Sequence, residues 1–244
     1  MQPLDTCCHE EQRWNERRLA QTVHVPALRL WSYRAPGVVL GCSQRAHYER
    51  LSRGDAGIDI VARQAGGGAV LTGPWMLSAS IVLPHGHPLA SPNLVHSYRW
   101  LGELYAAVLR RRGIAAHAIN PAEAARLQAG TQAPDWACYG GYSPWEVVVG
   151  QRKIVGLAQV RRRTGVLLVA GLLLEQPDWS LLSRAMGQPP ADADALFSCT
   201  TSCAQQRGPG DWLDEIAGPL RRALDYALFE LEAPALCPET LAIY

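Results

Sequence analysis

Two stretches of this 244-residue sequence set residue types that do acyl chemistry beside residues that let a ligand approach the backbone. The first is Arg63-Gln64-Ala65-Gly66-Gly67-Gly68-Ala69-Val70. Three successive glycines remove side-chain bulk, so a ligand can lie against main-chain N–H groups. Arg63 can then give a charge-assisted bond to a carboxylate or phosphate. The same composition also suits a plain glycine turn between strands. It is neither a dinucleotide nor a P-loop fingerprint, because the G-x-G-x-x-G spacing and the Gly-Lys-Ser/Thr ending are both missing. The second stretch runs from Trp145 to Gln159 and carries Lys153 just after Gly150-Gln151. A lysine held at a strand start and facing a glycine loop can polarise an acyl carbonyl and hold the negative charge that develops under attack by an amine. Taken alone, Lys153 reads first as a solvated hairpin lysine.

Elements of the right kind surround both stretches. From Leu28 to Leu83, short apolar runs (LRLWSY, VVLG, IDIVA, SASIVLP) broken by Gly and Pro have the lengths and composition of strands. At Ser91-Pro92 the period changes. Leu94, Tyr98, Leu101, Leu104, Tyr105 and Val108 recur at helical steps, with Ser91 as cap, Pro92 in the first turn and Gly113 past the end. Asn120-Pro121 predicts a short helix to about Leu127, followed by loop from Gln128 to Asp135. Gly150-Gln151 between two apolar runs predicts a hairpin with a type II′ turn, and Arg162 to Gly165 predicts a second. Pro219 is read as the first helical residue for Leu220, Ala223, Leu224, Ala227, Leu228 and Leu231. The sum is an α/β fold, a single mixed-sheet domain with packed helices over residues 1–244, its core at about 28–232.

The order of these blocks carries a resemblance. Arg63 to Val70 resembles the R-x-x-G-G-G-A-V segment of lipoate-protein ligases. Arg152-Lys153-Ile154-Val155-Gly156-Leu157-Ala158-Gln159 resembles the R-K-[IV]-x-G-x-A-Q hairpin of the lipoate-protein ligase and octanoyltransferase superfamily. Leu28 to Trp31 with Val38 to Gln44 looks like the superfamily's opening strands, so the likeness extends in order from about Leu28 to Leu174. It implies the fold of the biotin and lipoate ligase catalytic domain. It also implies a loop at Arg63, Gly66, Gly67, Gly68 and Ala69, with Gly156, lying against the acyl chain and the adenylate phosphate, and Lys153 as the catalytic lysine. Cys138, followed by Glu146, has the spacing seen in octanoyltransferases and amidotransferases of the superfamily, where the cysteine accepts the acyl group as a thioester. A buried inert cysteine is the alternative.

The resemblance leaves two routes to the same amide. In the leading one, a ligase, free lipoate or octanoate and ATP with magnesium give lipoyl-AMP, which acylates a lysine of an apo lipoyl domain of a 2-oxoacid dehydrogenase or of the glycine cleavage protein. In the other, Cys138 takes the acyl group from acyl carrier protein or another lipoyl-bearing protein, without ATP. Ligases usually carry His-Asp after the glycine loop, where this chain has Thr72-Gly73-Pro74, Asn-Asp where it has Trp145-Glu146, and His-Gly where it has Ala170-Gly171. These departures fall where ATP, magnesium and the adenylate are expected. The triple glycine, in contrast, is more ligase-like than the G-G-R of many cysteine-dependent octanoyltransferases. A third reading is a non-catalytic module that binds lipoyl domains. No permanently bound cofactor is expected.

Composition narrows the rest. Net charge is +1, with 23 Lys+Arg against 22 Asp+Glu, so no bulk field draws nucleic acid or an anionic membrane. No apolar run reaches the roughly 18 residues of a membrane span, and Met1 to Glu11 lacks the basic flank and apolar run of a secretory signal. With seven cysteines, an odd number, reduced thiols and a cytoplasmic setting are expected. Cys7-Cys8-His9 and Cys199-Thr200-Thr201-Ser202-Cys203 lack the C-x-x-C spacing of a zinc site, so no metal site is assigned. His85 and His87, between Pro84 and Pro88, read as an exposed turn. Arg161, Arg162 and Arg163 read as a solvated basic turn or as a face for an acidic lipoyl domain.

Overall fold

The computed structural model describes residues 3–52 and 57–229. Among them, ten strands form two sheets. In chain order they are β1 (Leu4–Thr6), β2 (Ala27–Tyr33), β3 (Gly37–Leu40), β4 (Asp59–Ala62), β5 (Val70–Thr72), β6 (Met76–Leu83), β7 (Ala116–Ala118), β8 (Val147–Val149), β9 (Arg152–Arg162) and β10 (Gly165–Leu173). The large sheet runs β1-β2-β6-β10-β9-β8-β7 and the small one β4-β3-β5. Both are mixed, with β1 parallel to β2 and β3 parallel to β4. The helices are α1 (Cys8–Leu19), α2 (Tyr48–Ser52), α3 (Arg99–Arg110), α4 (Pro121–Gly130), α5 (Trp179–Met186), α6 (Pro190–Cys199), α7 (Cys203–Arg207) and α8 (Trp212–Phe229). This is the expected α/β architecture of a large mixed sheet with packed helices.

Strand β6 shows why the sheet sits where it does. All eight of its residues are buried, as a strand covered on both faces must be. Leu77, Ala79, Ile81 and Leu83 face α3 and α8, packing with Leu101, Leu104 and Leu224. Met76 and Val82 belong to the other layer, with Trp14 of α1, Val38 and Leu40 of the small sheet, and Trp179 and Leu182 of α5. The period-2 alternation thus feeds two cores, one on each side of the sheet.

Most sequence expectations coincide with elements, and the exceptions have physical reasons. The helix expected from Ser91 begins at Arg99, after a 3-10 turn at His96–Tyr98. Asn93 is the residue that caps this turn, accepting from Val95 N at 2.9 Å and His96 N at 3.1 Å, and Leu94 is exposed rather than on the buried face. The helix at Asn120 is capped as expected by Glu123 N donating to Asn120 Oδ1 at 3.0 Å, and it extends to Gly130, past the expected loop start.

Pro219 lies inside α8, which starts at Trp212. A proline there cannot donate to the carbonyl four residues back. That carbonyl, Glu215 O, accepts instead from Arg112 Nε at 3.2 Å and Nη2 at 3.0 Å, which removes much of the cost. Leu231 and the expected core limit at 232 lie outside the described residues. Elements β1 and α1, before the expected core, were not anticipated. Among the described residues, no helix is long and apolar enough to cross a membrane.

Helix α3 lies so close to the chain before β8 that a Cβ on Gly102 would collide with Trp145 O. Gly102→Ala is therefore expected to destabilise the fold by about 1–3 kcal/mol in urea titration. Wild-type stability would show that α3 can move away freely.

Candidate active site

The glycine loop leaves β4 at Arg63 and enters β5 at Val70. It is tied to its neighbours by main-chain bonds: Arg63 N donates to Leu40 O at 2.9 Å and Cys42 N to Ala65 O at 2.9 Å. Gly67 takes φ +89°, a conformation that favours glycine. A Cβ on Gly41 would strike the Gly67 carbonyl, and one on Gly68 would strike Trp136 O. The loop is then stitched to the cysteine segment. Ala69 N donates to Trp136 O at 2.8 Å and Cys138 N donates to Ala69 O at 2.9 Å. A Cβ built on Gly67 would lie 3.9 Å from Cys138 Sγ. The two separate sequence signals therefore form one surface.

Arg63 points into this loop. Its Nη2 donates to Gly66 O at 2.8 Å and Gly68 O at 3.0 Å, so it braces the turn that the sequence suggested it would serve as an anion ligand. Its buried Nε has no hydrogen-bond partner.

Lys153 is 1% exposed and Glu146 2%. Lys153 Nζ lies 2.7 Å from Glu146 Oε2 and donates to Cys138 O at 2.9 Å. The rings of Tyr139 and Tyr142 lie 5.7 and 5.6 Å from the ammonium, within cation–π range. Glu146 is held in turn by Ser143 N at 2.8 Å and Leu157 N at 3.2 Å.

Two backbone irregularities aim these side chains. Trp145, just before the glutamate, has φ +69°, a rare conformation for a bulky residue. Val147 pairs with Val155 while the next residue, Val148, pairs with Lys153, so Ile154 is an extra residue, a β-bulge. Ile154 and Val155 both join the core on the α3 side, and Lys153 turns to the cysteine. Gly150 has φ +61°, as the first central position of the expected II′ turn requires.

Tyr139 lies across the sheet. It packs over Gly156, its hydroxyl donates to Gly171 O at 2.6 Å, and Gly156 and Gly171 are cross-strand partners, so two absent side chains make room for one ring. Burial pushes its phenol well up. The Thr-Ser segment seals the far side, with Thr201 N donating to Lys153 O at 2.9 Å and Arg152 Nε to Thr200 O at 2.7 Å.

Cys138 is half-buried where two cavities meet. One, about 680 Å³ with its open mouth included, runs between the large sheet and the layer of α1 and the small sheet. It is walled by Val39, Val70, Met76, Leu167 and Val169. The other, about 870 Å³ and wider, is lined by Gly66, Gly67, Gly68, Tyr98, Tyr142 and Glu146. Gly156 lines the first cavity; Lys153 is not among the lining residues of either. The arrangement can hold an apolar chain in one cavity, a polar partner in the other, and a thiol between them.

Sequence reasoning missed the side chains that α1 brings to the narrow cavity. Glu11 and Asn15, one helical turn apart, are buried, and Tyr33 Oη donates to Glu11 Oε2 at 2.7 Å. Their polar face was the available signal, but the helix itself was not read. Burial raises the Glu11 carboxyl from its ordinary 4.5, opposed by the Tyr33 bond and the Arg63 charge.

The side chains of Cys8, His9 and Asp59 also bring ligand atoms within 4.8 Å of one another. Cys8 packs against Gly37 and burial pushes its thiol up to about 12, the state of a protonated core cysteine. Cys203 is likewise pushed up to about 12 by burial. His85 bonds Arg162 O and His87 bonds Leu228 O at 3.3 Å, so both pin turns. Arg161 holds Ser91 O, while Arg162 and Arg163 are exposed.

The sequence profile of the lipoyl protein ligase A/B catalytic domain matches residues 8–203. An octanoyltransferase LipM of Kyrpidia tusciae is 35% identical over 168 residues, 67% of this chain and 60% of that protein. One from an Exiguobacterium species is 31% identical over 155 residues, 63% of this chain and 56% of that protein. These matches thus span well under two thirds of the relatives' own length. In fold, the chain is similar to the bipartite lipoate protein ligase of Thermoplasma acidophilum, solved in a study of that ligase and its E2 lipoyl domain. The TM-score is 0.64 at 19% identity, covering 99% of this chain and 89% of that one.

Two measurements follow from this geometry. Lys153→Met strands a buried carboxylate and is expected to cost about 3–5 kcal/mol, most of it regained in Lys153→Met/Glu146→Leu; equal losses in both would show that the pair's charge is not what matters. The raised Glu11 carboxyl favours the folded state when protonated, so its contribution is full below the unfolded value and lost as pH rises through the folded one. Glu11→Gln should therefore raise the melting temperature at about pH 8, by roughly 2–4 °C per kcal/mol, with the gain vanishing near about pH 4. A pH-independent difference would contradict this.

Proposed function

Because the chain belongs to the lipoyl protein ligase A/B catalytic-domain family, we propose that it transfers an octanoyl- or lipoyl-type acyl group to a lysine of a lipoyl domain through a thioester on Cys138, without ATP. The observation that carries this is the place of Cys138, its thiol within reach of the glycine loop at the junction of a largely apolar cavity and a wider, more polar one. The names of the relatives support the same route over the adenylate.

In the first step the Cys138 sulfur, as thiolate, attacks the carbonyl of a carrier thioester. The new C–S bond forms, the carrier's C–S bond breaks, and the carrier leaves as a thiol once it takes up a proton. In the second, the lysine amine enters through the wide cavity and attacks the Cys138 thioester. A C–N bond forms, the bond to Cys138 breaks, and the amine's proton passes to the sulfur. The chain's apolar walls hold the acyl tail in both steps, which turns a bimolecular encounter into a positioned one. The Gly66-Gly67-Gly68 loop lines the wide cavity beside Cys138, and its N–H groups are the donors proposed to hold the charge on the reacting carbonyl.

Lys153 acts here as a positioning residue. Its ammonium pairs with Glu146, donates to the Cys138 carbonyl and lies over two aromatic faces, so in this reading it fixes the cysteine rather than meeting the substrate. The same engagement weighs against the adenylate route, in which this lysine would have to face the acyl phosphate.

Octanoyl-acyl carrier protein without nucleotide is expected to leave an octanoyl adduct on Cys138, which an apo lipoyl domain then removes. Intact mass spectrometry reads both steps, and Cys138→Ala should abolish them. Modification of the lipoyl domain that needs lipoate and ATP and survives Cys138→Ala would establish the ligase instead.

A further inference from the structure

The first turn of α1 and the start of β4 bring three kinds of metal ligand together. Cys8 Sγ, a ring nitrogen of His9 and a carboxylate oxygen of Asp59 all lie within 4.8 Å of one another. In sequence, Cys8-His9 has no zinc-site spacing because the third donor lies far along the chain, on another element. Asp59 opens β4 and is the register partner of Gly37 on β3. Cys8 packs on that same Gly37, where a Cβ would stand 2.7 Å from its sulfur. Gly37 is not among the glycines at positive φ, so its backbone does not call for glycine; the seat of the thiol does. Thr72 Oγ1 donates to Gly37 O at 3.0 Å and holds that seat in place.

The three side chains differ in freedom as a metal site needs. Cys8 is buried and fixed by packing, His9 is half-buried and Asp59 is exposed. Around a tetrahedral zinc with bonds of about 2.0–2.3 Å, ligand atoms stand about 3.4–3.6 Å apart. Rotation of the two freer side chains covers a difference of roughly 1 Å without moving the backbone. Charge points the same way. Burial, and then the negative charge of Asp59, Cys7 and Glu11, pushes the metal-free Cys8 thiol up to about 12. A cation at the sulfur turns those anionic neighbours from opponents of the thiolate into partners of the ion. On binding, the S–H bond breaks, its proton leaves to solvent, and the sulfur's electron pair makes the metal bond.

We propose that Cys8, His9 and Asp59 bind one divalent ion of the zinc class, which fastens the first turn of α1 to the edge strand of the small sheet. A sulfur, an imidazole nitrogen and a carboxylate oxygen suit zinc, and they disfavour magnesium and calcium, which take oxygen ligands. Helix α1 carries Glu11 and Asn15 on the narrow cavity, and β4 runs into the glycine loop at Arg63. The ion thus ties together two elements that wall the candidate active site. It takes no part in acyl transfer, so the metal site stands whichever acyl route the protein uses.

Cobalt(II) is the probe, because a thiolate ligand gives it a sulfur charge-transfer band in the near ultraviolet and tetrahedral coordination gives it strong visible bands. Titrated into the chelator-treated full chain, it is expected to develop both, with a break at about one ion per chain, and zinc should then bleach them. Cys8→Ala should remove the sulfur band. His9→Gln and Asp59→Asn should each weaken binding about tenfold or more. Zinc should also raise the melting temperature of the wild type more than that of Asp59→Asn. Absence of a sulfur band, a band that survives Cys8→Ala, or an affinity unchanged in either His9→Gln or Asp59→Asn overturns the site. Because His9 is only half-buried and Asp59 is exposed, their variants decide should Cys8→Ala not fold.

Discussion

Lys153 and Glu146 face each other 2.7 Å apart with almost no access to water, and the site is arranged around the need to make that tolerable. Stripping two charges of solvent costs several kcal/mol per ion, and their attraction offsets this only with good geometry and with the remaining donors and acceptors engaged. Here the carboxylate also takes two backbone N–H groups, and the ammonium takes a backbone carbonyl and two ring faces. The carbonyl is that of Cys138. Completing the lysine's coordination and fixing the cysteine are therefore one interaction, and displacing either disturbs the other.

Rigid backbone contacts carry this constraint outward. The residue after the lysine is the bulge, and the residue before the glutamate is held at positive φ, so both charges are aimed by strained or irregular main chain inside an otherwise regular hairpin. From Cys138 the ladder passes through Ala69 to the glycine loop, and from Gly67 to Gly41 through a contact that only glycine permits. The small sheet, the loop and the cysteine thus form one stack. Arg63 closes it from inside by bonding the loop's carbonyls.

The second consequence is a division of space. Tyr139 lies over the Gly156 and Gly171 pair, and the thiol of the residue before it sits on the boundary between a narrow, largely apolar cavity and a wider, more polar one. Helix α1 closes the narrow one, and it does so with Glu11 and Asn15 as well as with Trp14. Burying polar groups there costs stability that a tryptophan-lined wall would not. Such a cost is characteristic of a surface shaped for a ligand rather than for folding alone.

By itself the sequence determined the parts that depend on local physics. Apolar runs of strand length gave β2, β3, β4 and β6, Asn120-Pro121 gave α4, Gly150 gave the hairpin turn, and the triple glycine, Lys153 and, through the family resemblance, Cys138 stood out as candidate site residues. Partners distant in sequence were not legible. Pro219 inside α8 depends on Arg112, over a hundred residues away, to take the carbonyl it cannot serve. The direction of Lys153 depends on a bulge that no period-2 pattern announces, and α1 becomes part of the cavity only because β6 and β10 pass beneath it. Local propensity fixes which segments are strands and helices. Where a buried side chain finds its partner is decided by packing, and that turned a lysine that looks solvated into the support under a cysteine.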